Sequence, residues 1–149
     1  MAKSFDTIAG LMSYIQKAAQ EVAKTNVADA IIDENIKFNE SEIYSYNQKE
    51  YTRRNTLTDK NNFVVDDIGD NTIEIYNNAE PNTPIGKGSV DGWQVSLMVE
   101  EGRVSDMFGE GFWTGDRPAT AKTVESLESS GKHTKAMIQG LKKFGIEAK

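Results

Sequence analysis

The sequence predicts an α+β fold: an antiparallel meander between a long N-terminal helix and C-terminal helices, with two long loops. Three observations carry that expectation. Apolar residues recur at helical spacing near the start, short β-prone runs lie close together in the middle, and a second helical stripe follows Pro118. The chain has 149 residues, a length that suits one domain, since domains usually hold ~100–150 residues.

Ile8, Leu11, Met12, Ile15, Ala18, Ala19 and Val22 are spaced by threes and fours, as on the inward face of a helix. Ser4 or Asp6 is the expected N-cap. The helix is expected over about 6–32; its pattern weakens through Val27, Ile31 and Ile32, with an extension or a break near Asn26. Strands are expected between about 43 and 76: Ile43, Tyr44 and Tyr46 open one candidate, Phe63-Val64-Val65 forms another, and Thr72–Tyr76 is the clearest. The Asp66–Asn71 stretch supplies turn residues between the last two. Parallel strands would need longer crossovers, so an antiparallel meander is expected.

Residues 77–92, rich in Asn, Pro and Gly, and residues 102–116, with Phe108, Phe112 and Trp113 among glycines, read as the two long loops. Residues 93–101 alternate as a strand would, yet also suit a short helix. C-terminal helices are expected over about 118–144. Pro118 suits a first helical turn, and Ala121, Val124 and Leu127 make a stripe. Ser129-Ser130-Gly131 interrupts it, and Met137, Ile138, Leu141 and Phe144 resume it. Gly145 then fits the left-handed residue of a Schellman ending, with Ile146 returning to Leu141.

The net charge of −6 is unevenly spread. Residues 31–116 hold 7 Lys/Arg against 17 Asp/Glu, whereas residues 117–149 hold 7 against 3. An acidic middle and a basic tail can meet between neighbouring copies, and the overall sign argues against tight duplex DNA binding. With no Cys there is neither a disulfide nor a thiolate site. No apolar run approaches the ~20 residues of a membrane span, and no signal-peptide pattern opens the chain, so an intracellular, soluble protein is expected.

Catalytic constellations are not visible. His133 is the single histidine, expected on a solvated face; Gly86-Lys87-Gly88-Ser89 lacks Walker spacing, and Asp66-Asp67, Asp70 and Glu100-Glu101 lack a calcium-loop pattern. No enzyme, cofactor or metal is expected. Tyr44-Ser45-Tyr46 with Tyr51-Thr52-Arg53-Arg54 combines side chains that stack on nucleotides or anchor protein interfaces; the acidic surroundings favour the interface. Phe108, Phe112 and Trp113 either fold back on their own core or anchor a neighbour.

Residues 43–54, Ile-Tyr-Ser-Tyr-Asn-Gln-Lys-Glu-Tyr-Thr-Arg-Arg, resemble the Tyr…Tyr…Tyr-x-Arg-Arg segment of tailed-bacteriophage neck proteins. Arg117-Pro118, residues 123–133 and residues 140–146 are similar to that family's C-terminal signature. The likeness spans roughly residues 5–146. It departs at Asn47-Gln48, where the family commonly has proline, and at Ala119, where an aromatic residue often follows Arg-Pro.

The family comprises minor capsid, head–tail connector, tail-completion and tail-terminator proteins. The resemblance implies a structural virion protein of a long-tailed phage, made in the bacterial cytoplasm. It implies an α+β fold, a curved antiparallel sheet packed against the long N-terminal helix and C-terminal helices, in a ring of six copies at the head–tail junction or on the end of the tail tube, in contact with connector and tail-tube proteins, with DNA passing through without tight binding. Tyr44, Tyr46, Tyr51, Arg53, Arg54, Phe108, Phe112, Trp113 and Arg117 become subunit-interface candidates, and Asp66, Asp67 and Asp70 candidates for an acidic lumen. The alternative is a small nucleic-acid- or protein-binding regulator using the basic C-terminal helix.

Overall fold

The first helix, α1 (Ile8–Val22), starts where the Thr7 hydroxyl accepts the Gly10 N–H at 3.0 Å. Thr7, not Ser4 or Asp6, is therefore the N-cap, because only its extended backbone turns the side chain onto the open first turn. The computed structural model describes residues 4–45, 56–78, 97–101 and 117–148. Within them the chain is α+β: a long N-terminal helical rod, a two-stranded antiparallel sheet and two C-terminal helices.

The rod neither stops at residue 32 nor breaks at Asn26. A π-helical turn over Ala23–Val27 widens it, α2 (Ala28–Phe38) continues it, and a second π-helical segment, Asn39–Tyr44, closes it. Each widened turn has local support. The Thr25 hydroxyl donates to the Glu21 carbonyl at 2.7 Å, the back-bond that accompanies helix distortion. Ile43 and Tyr44, expected to open a strand, thus end a helix instead. Ile43 is 3% exposed in a small core with Leu57, Val99 and Ala119, against which Phe38, Tyr44 and Met98 pack.

After a 3₁₀ turn (Lys60–Asn62), β1 (Phe63–Gly69) pairs antiparallel with β2 (Thr72–Asn77). The register places Val65 opposite Ile75 and Asp66 opposite Glu74, with an irregularity between Asp67 and Gly69 that leaves Ile68 out of the ladder. Asp70 and Asn71 alone make the turn, both at positive φ (49° and 58°), as a tight two-residue hairpin loop requires. The turn expected over residues 66–71 is consequently shorter: pairing draws Asp66 and Asp67 into the strand. Residues 97–100 are helical, which decides between the two readings of that stretch. The loop expected from residue 77 starts later, because Asn77 is the last residue of β2, opposite Phe63; residues 93–96, the loop calls over 79–92 and 102–116, and the calls on Tyr46, Tyr51, Arg53, Arg54, Phe108, Phe112 and Trp113 lie outside the described residues.

Pro118 forms a tight turn (φ −77°, ψ 59°) in which the Ala119 N–H reaches the Arg117 carbonyl, one residue before α3 (Ala119–Ser130). The buried row of α3 is Ala119, Thr123 and Leu127; Ala121 and Val124 face outward, so Leu127 alone of the expected stripe is inside. Gly131, left-handed at φ 62°, breaks the chain before α4 (Lys132–Lys143). The end of α4 is the expected Schellman motif: Gly145 has φ 74°, its N–H bonds to the Lys142 carbonyl, and the Ile146 N–H bonds to that of Leu141.

The two ends of the described chain meet where α4 crosses the rod. Gly140 is buried there, and a Cβ placed on it would sit 2.3 Å from Cγ1 of fully buried Val22. Glycine is required for the approach itself, not for its dihedrals. Gly140→Ala is expected to destabilise the protein by ~1–3 kcal/mol through overpacking, although alanine raises helix propensity by about 1 kcal/mol. Adding Val22→Ala should return part of the loss. Urea unfolding of the two single variants and the pair checks this, and independent, additive effects would refute the contact.

Candidate functional site: a pinned frame bearing an acidic hairpin

The interior of the helical frame is organised by polar side chains that the sequence did not single out. Glu34, on α2, is 4% exposed. Its carboxylate receives the Lys132 ammonium from the first turn of α4, the Ser126 hydroxyl from α3 at 2.6 Å, and Lys37 from its own helix at 3.1 Å. Three donors, Lys132 foremost, hold its pKa at about 2 against an ordinary 4.5, overriding the opposing effect of burial. One carboxylate thereby joins three helices.

A second polar line runs beside it. The Asn35 amide donates to the Thr123 hydroxyl at 3.2 Å, and the Asn39 amide, 1% exposed, donates to Asn35 Oδ1 and to the Leu57 carbonyl, both at 2.9 Å. Asn77, the last residue of β2, reaches the same Leu57 carbonyl at 3.4 Å. Helix, loop and sheet are tied through one backbone oxygen.

Arg117 stands 7% exposed, and its guanidinium donates to the carbonyls of Glu42 and Ile43 at 3.3 and 3.2 Å. Carbonyls in the last turn of a helix commonly lack an intrahelical donor, and an arginine 74 residues away reaches these two. The structure thus places this interface candidate inside its own chain. Tyr44, another, is half-buried, and its hydroxyl accepts the Leu57 N–H at 3.1 Å. Lys122 meets Glu42 at 2.8 Å, and Glu100 accepts from the Thr120 N–H and hydroxyl, with burial pushing its pKa up. His133, expected on a solvated face, is half-buried with Nδ1 shielded from solvent.

The acidic candidates divide by side. Asp67 turns toward the rod, bonding Lys24 at 2.6 Å and Gln20 at 3.3 Å, and Lys24 holds its pKa below the ordinary value. Asp66, adjacent on the strand, faces the other way, directly across from Glu74 and within 3.1 Å of the Tyr76 hydroxyl, which donates to it. Asp70 lies exposed in the turn. Only Asp66 and Asp70 of the three therefore offer charge outward, and Glu74 joins them. Lys60 anchors the other end of the hairpin, reaching Asp29 and Asp33 on α2 at 3.1 and 2.9 Å; both carboxylates raise its pKa.

Among the described residues no group of three or more His, Cys, Asp or Glu side chains is placed to hold a metal ion, and no helix is long and apolar enough to cross a membrane. Glu34, Asn35, Asn39 and Thr123 had no local signal in the sequence. Gly140 did: an isolated glycine inside a helical stripe marks a close approach.

Glu34 sets an acid-stability expectation. Its folded pKa is depressed, so its contribution is present above the ordinary carboxylate pKa and is lost as pH falls from about 4.5 through about 2. Urea unfolding between pH 2 and 5 should show that loss, and Glu34→Gln should flatten it. Lys132→Met, which removes the main donor from a buried charge, should lower stability at pH 7 by ~1–3 kcal/mol. An unchanged pH profile in Glu34→Gln would contradict the assignment.

Comparison with known proteins gives one match: residues 7–143 fit a family described as YomN, a name typical of Bacillus phage genes. No curated protein and no solved structure matches the chain.

Proposed function

The chain belongs to the YomN family and is thereby associated with phage; from that premise we propose that it is a structural virion protein of a long-tailed phage, assembling as a ring at the head–tail junction. One observation supports this reading above the others. The hairpin keeps Asp66 directly opposite Glu74, an arrangement that destabilises a strand pair, and residues 61–86 contain no Lys or Arg at all. A local penalty retained on an outward face suits a surface selected for its charge.

In a ring, six such hairpins would line or rim a passage carrying DNA. A negative wall repels phosphate and lets the duplex slide. The frame beneath serves as mounting: Lys24 with Gln20 at one end of the hairpin, and Lys60 with Asp29 and Asp33 at the other, hold it along the rod. The chain works in this reading by shape and charge and catalyses nothing. The regulator alternative draws on the basic C-terminal helix, but Lys132 is committed to Glu34 and Lys135 to the Ser130 carbonyl. A steeply salt-dependent DNA affinity would favour it.

Two measurements test the proposal. Purified particles should contain the protein, with density at the junction in a particle map; its absence from finished particles would overturn the virion role. The double variant Asp66→Asn, Glu74→Gln spares both the Asp67 tether and Asp70 at the tip. It should unfold no earlier than the wild type, because like-charge repulsion is relieved, while DNA release from particles slows. Normal release would remove the charged-passage reading.

A further inference from the structure

Resting on the ring reading, we infer that the uncovered N-terminal end of α1 receives the hairpin tip of the next copy of this chain. The argument begins with an overhang. Along the rod, Gly140 lies against Val22, while the Tyr14 hydroxyl donates to the Phe144 carbonyl at 2.7 Å. α4 therefore runs antiparallel to α1 and ends level with Tyr14. α1 continues from there back to Ile8, roughly 9 Å at the usual helical rise.

On that stretch Ile8 is 81%, Met12 53% and Leu11 39% exposed. They prolong the stripe that is buried further along at Ala18 and Val22. The face is a core face, and the helix that covers it has run out. Lys143, one residue before the carbonyl that Tyr14 reaches, is exposed at the end of α4 and has no acidic partner among the described residues.

The hairpin tip is the converse surface. Ile68, left out of the ladder, is 60% exposed and is followed in the turn by exposed Asp70, while Asp66 and Glu74 stay on the outward face of the strands. An apolar knob beside an acidic side chain fits an apolar seat beside a basic one. Within one chain the two cannot meet. Asp67 is fastened at Gln20 and Lys24, on the other side of the helix from the stripe and two to three turns along it. Among the described residues each copy therefore has a knob and a seat that its own chain does not join, and filling the seat with a neighbour's knob is a head-to-tail contact, the kind that closes into rings. One such contact is small, so closure of the whole circle must supply the stability of the assembly.

The chain has no cysteine, so disulfide trapping reads the contact directly. Under oxidation at high protein concentration, the double variant Met12→Cys, Ile68→Cys should give a ladder of linked species ending in a closed ring. Mixing the two single variants should give only dimers that contain one of each. Met12→Cys paired with Val124→Cys, 49% exposed on α3, should give no ladder. Reversing Lys143 to Glu should lower ladder yield roughly two- to fivefold, as loss of one surface ion pair implies; reversing Asp70 to Lys in the same chain should restore it. Absence of a ladder, or dimers formed equally by each single variant alone, overturns the contact. A ladder from a protein missing from particles would uphold the contact and sink the junction role. A junction ring that gives no ladder would do the reverse.

Discussion

The frame depends on a single buried carboxylate. Glu34 has neither solvent nor a metal to balance its charge, and the balance comes from an ammonium on α4, a hydroxyl on α3 and a lysine one turn along its own helix. Two of those donors lie 92 and 98 residues away in sequence. A charge so placed disfavours any other packing of the three helices, since each would leave it unpaired at a penalty of several kcal/mol. Among the described residues the apolar clusters are modest by comparison: the core of Ile43, Leu57, Val99 and Ala119 is small, and Val22 is the one large apolar side chain among the fully buried. Position here is specified more by polar pairing than by volume.

The legible parts of the fold were those whose causes are local. The threefold and fourfold spacing from Ile8 to Val22 announced α1, Thr72–Tyr76 announced a strand, and Phe144-Gly145-Ile146 announced its own hydrogen-bonded ending. Where distant groups decide, the local signal misled. Ile43 and Tyr44 are β-prone, yet Arg117 reaches the Ile43 carbonyl and Ala119 packs on Ile43, so the rod runs on through them. Asp66 and Asp67 look like turn formers, yet pairing with Glu74 and Ile73 keeps them in the ladder. Arg117 reads as a surface anchor in a sequence, because nothing in its neighbourhood reports that two carbonyls 74 and 75 residues upstream accept from it.

The same division separates interior from exterior. Lys24, Lys60, Lys122 and Lys132 all serve intrachain pairs, whereas the outward charges of the hairpin are of one sign. Polar residues with long-range partners hold the scaffold, and unbalanced ones are left for neighbours. The asymmetry visible in composition, an acidic middle and a basic tail, is thus partly consumed at home; among the described residues, the hairpin and the end of α4 keep outward charge of opposite sign.

The crowding of Asp66, Asp70 and Glu74 on one two-stranded arm also fixes how far that arm is felt. At physiological ionic strength the field of exposed charge decays within about 8 Å, less than the width of a helix with its side chains. Solute passing at any greater distance meets an almost neutral protein. The hairpin is a near-field element, silent in dilute solution and effective only against something already brought within a side chain's length of it.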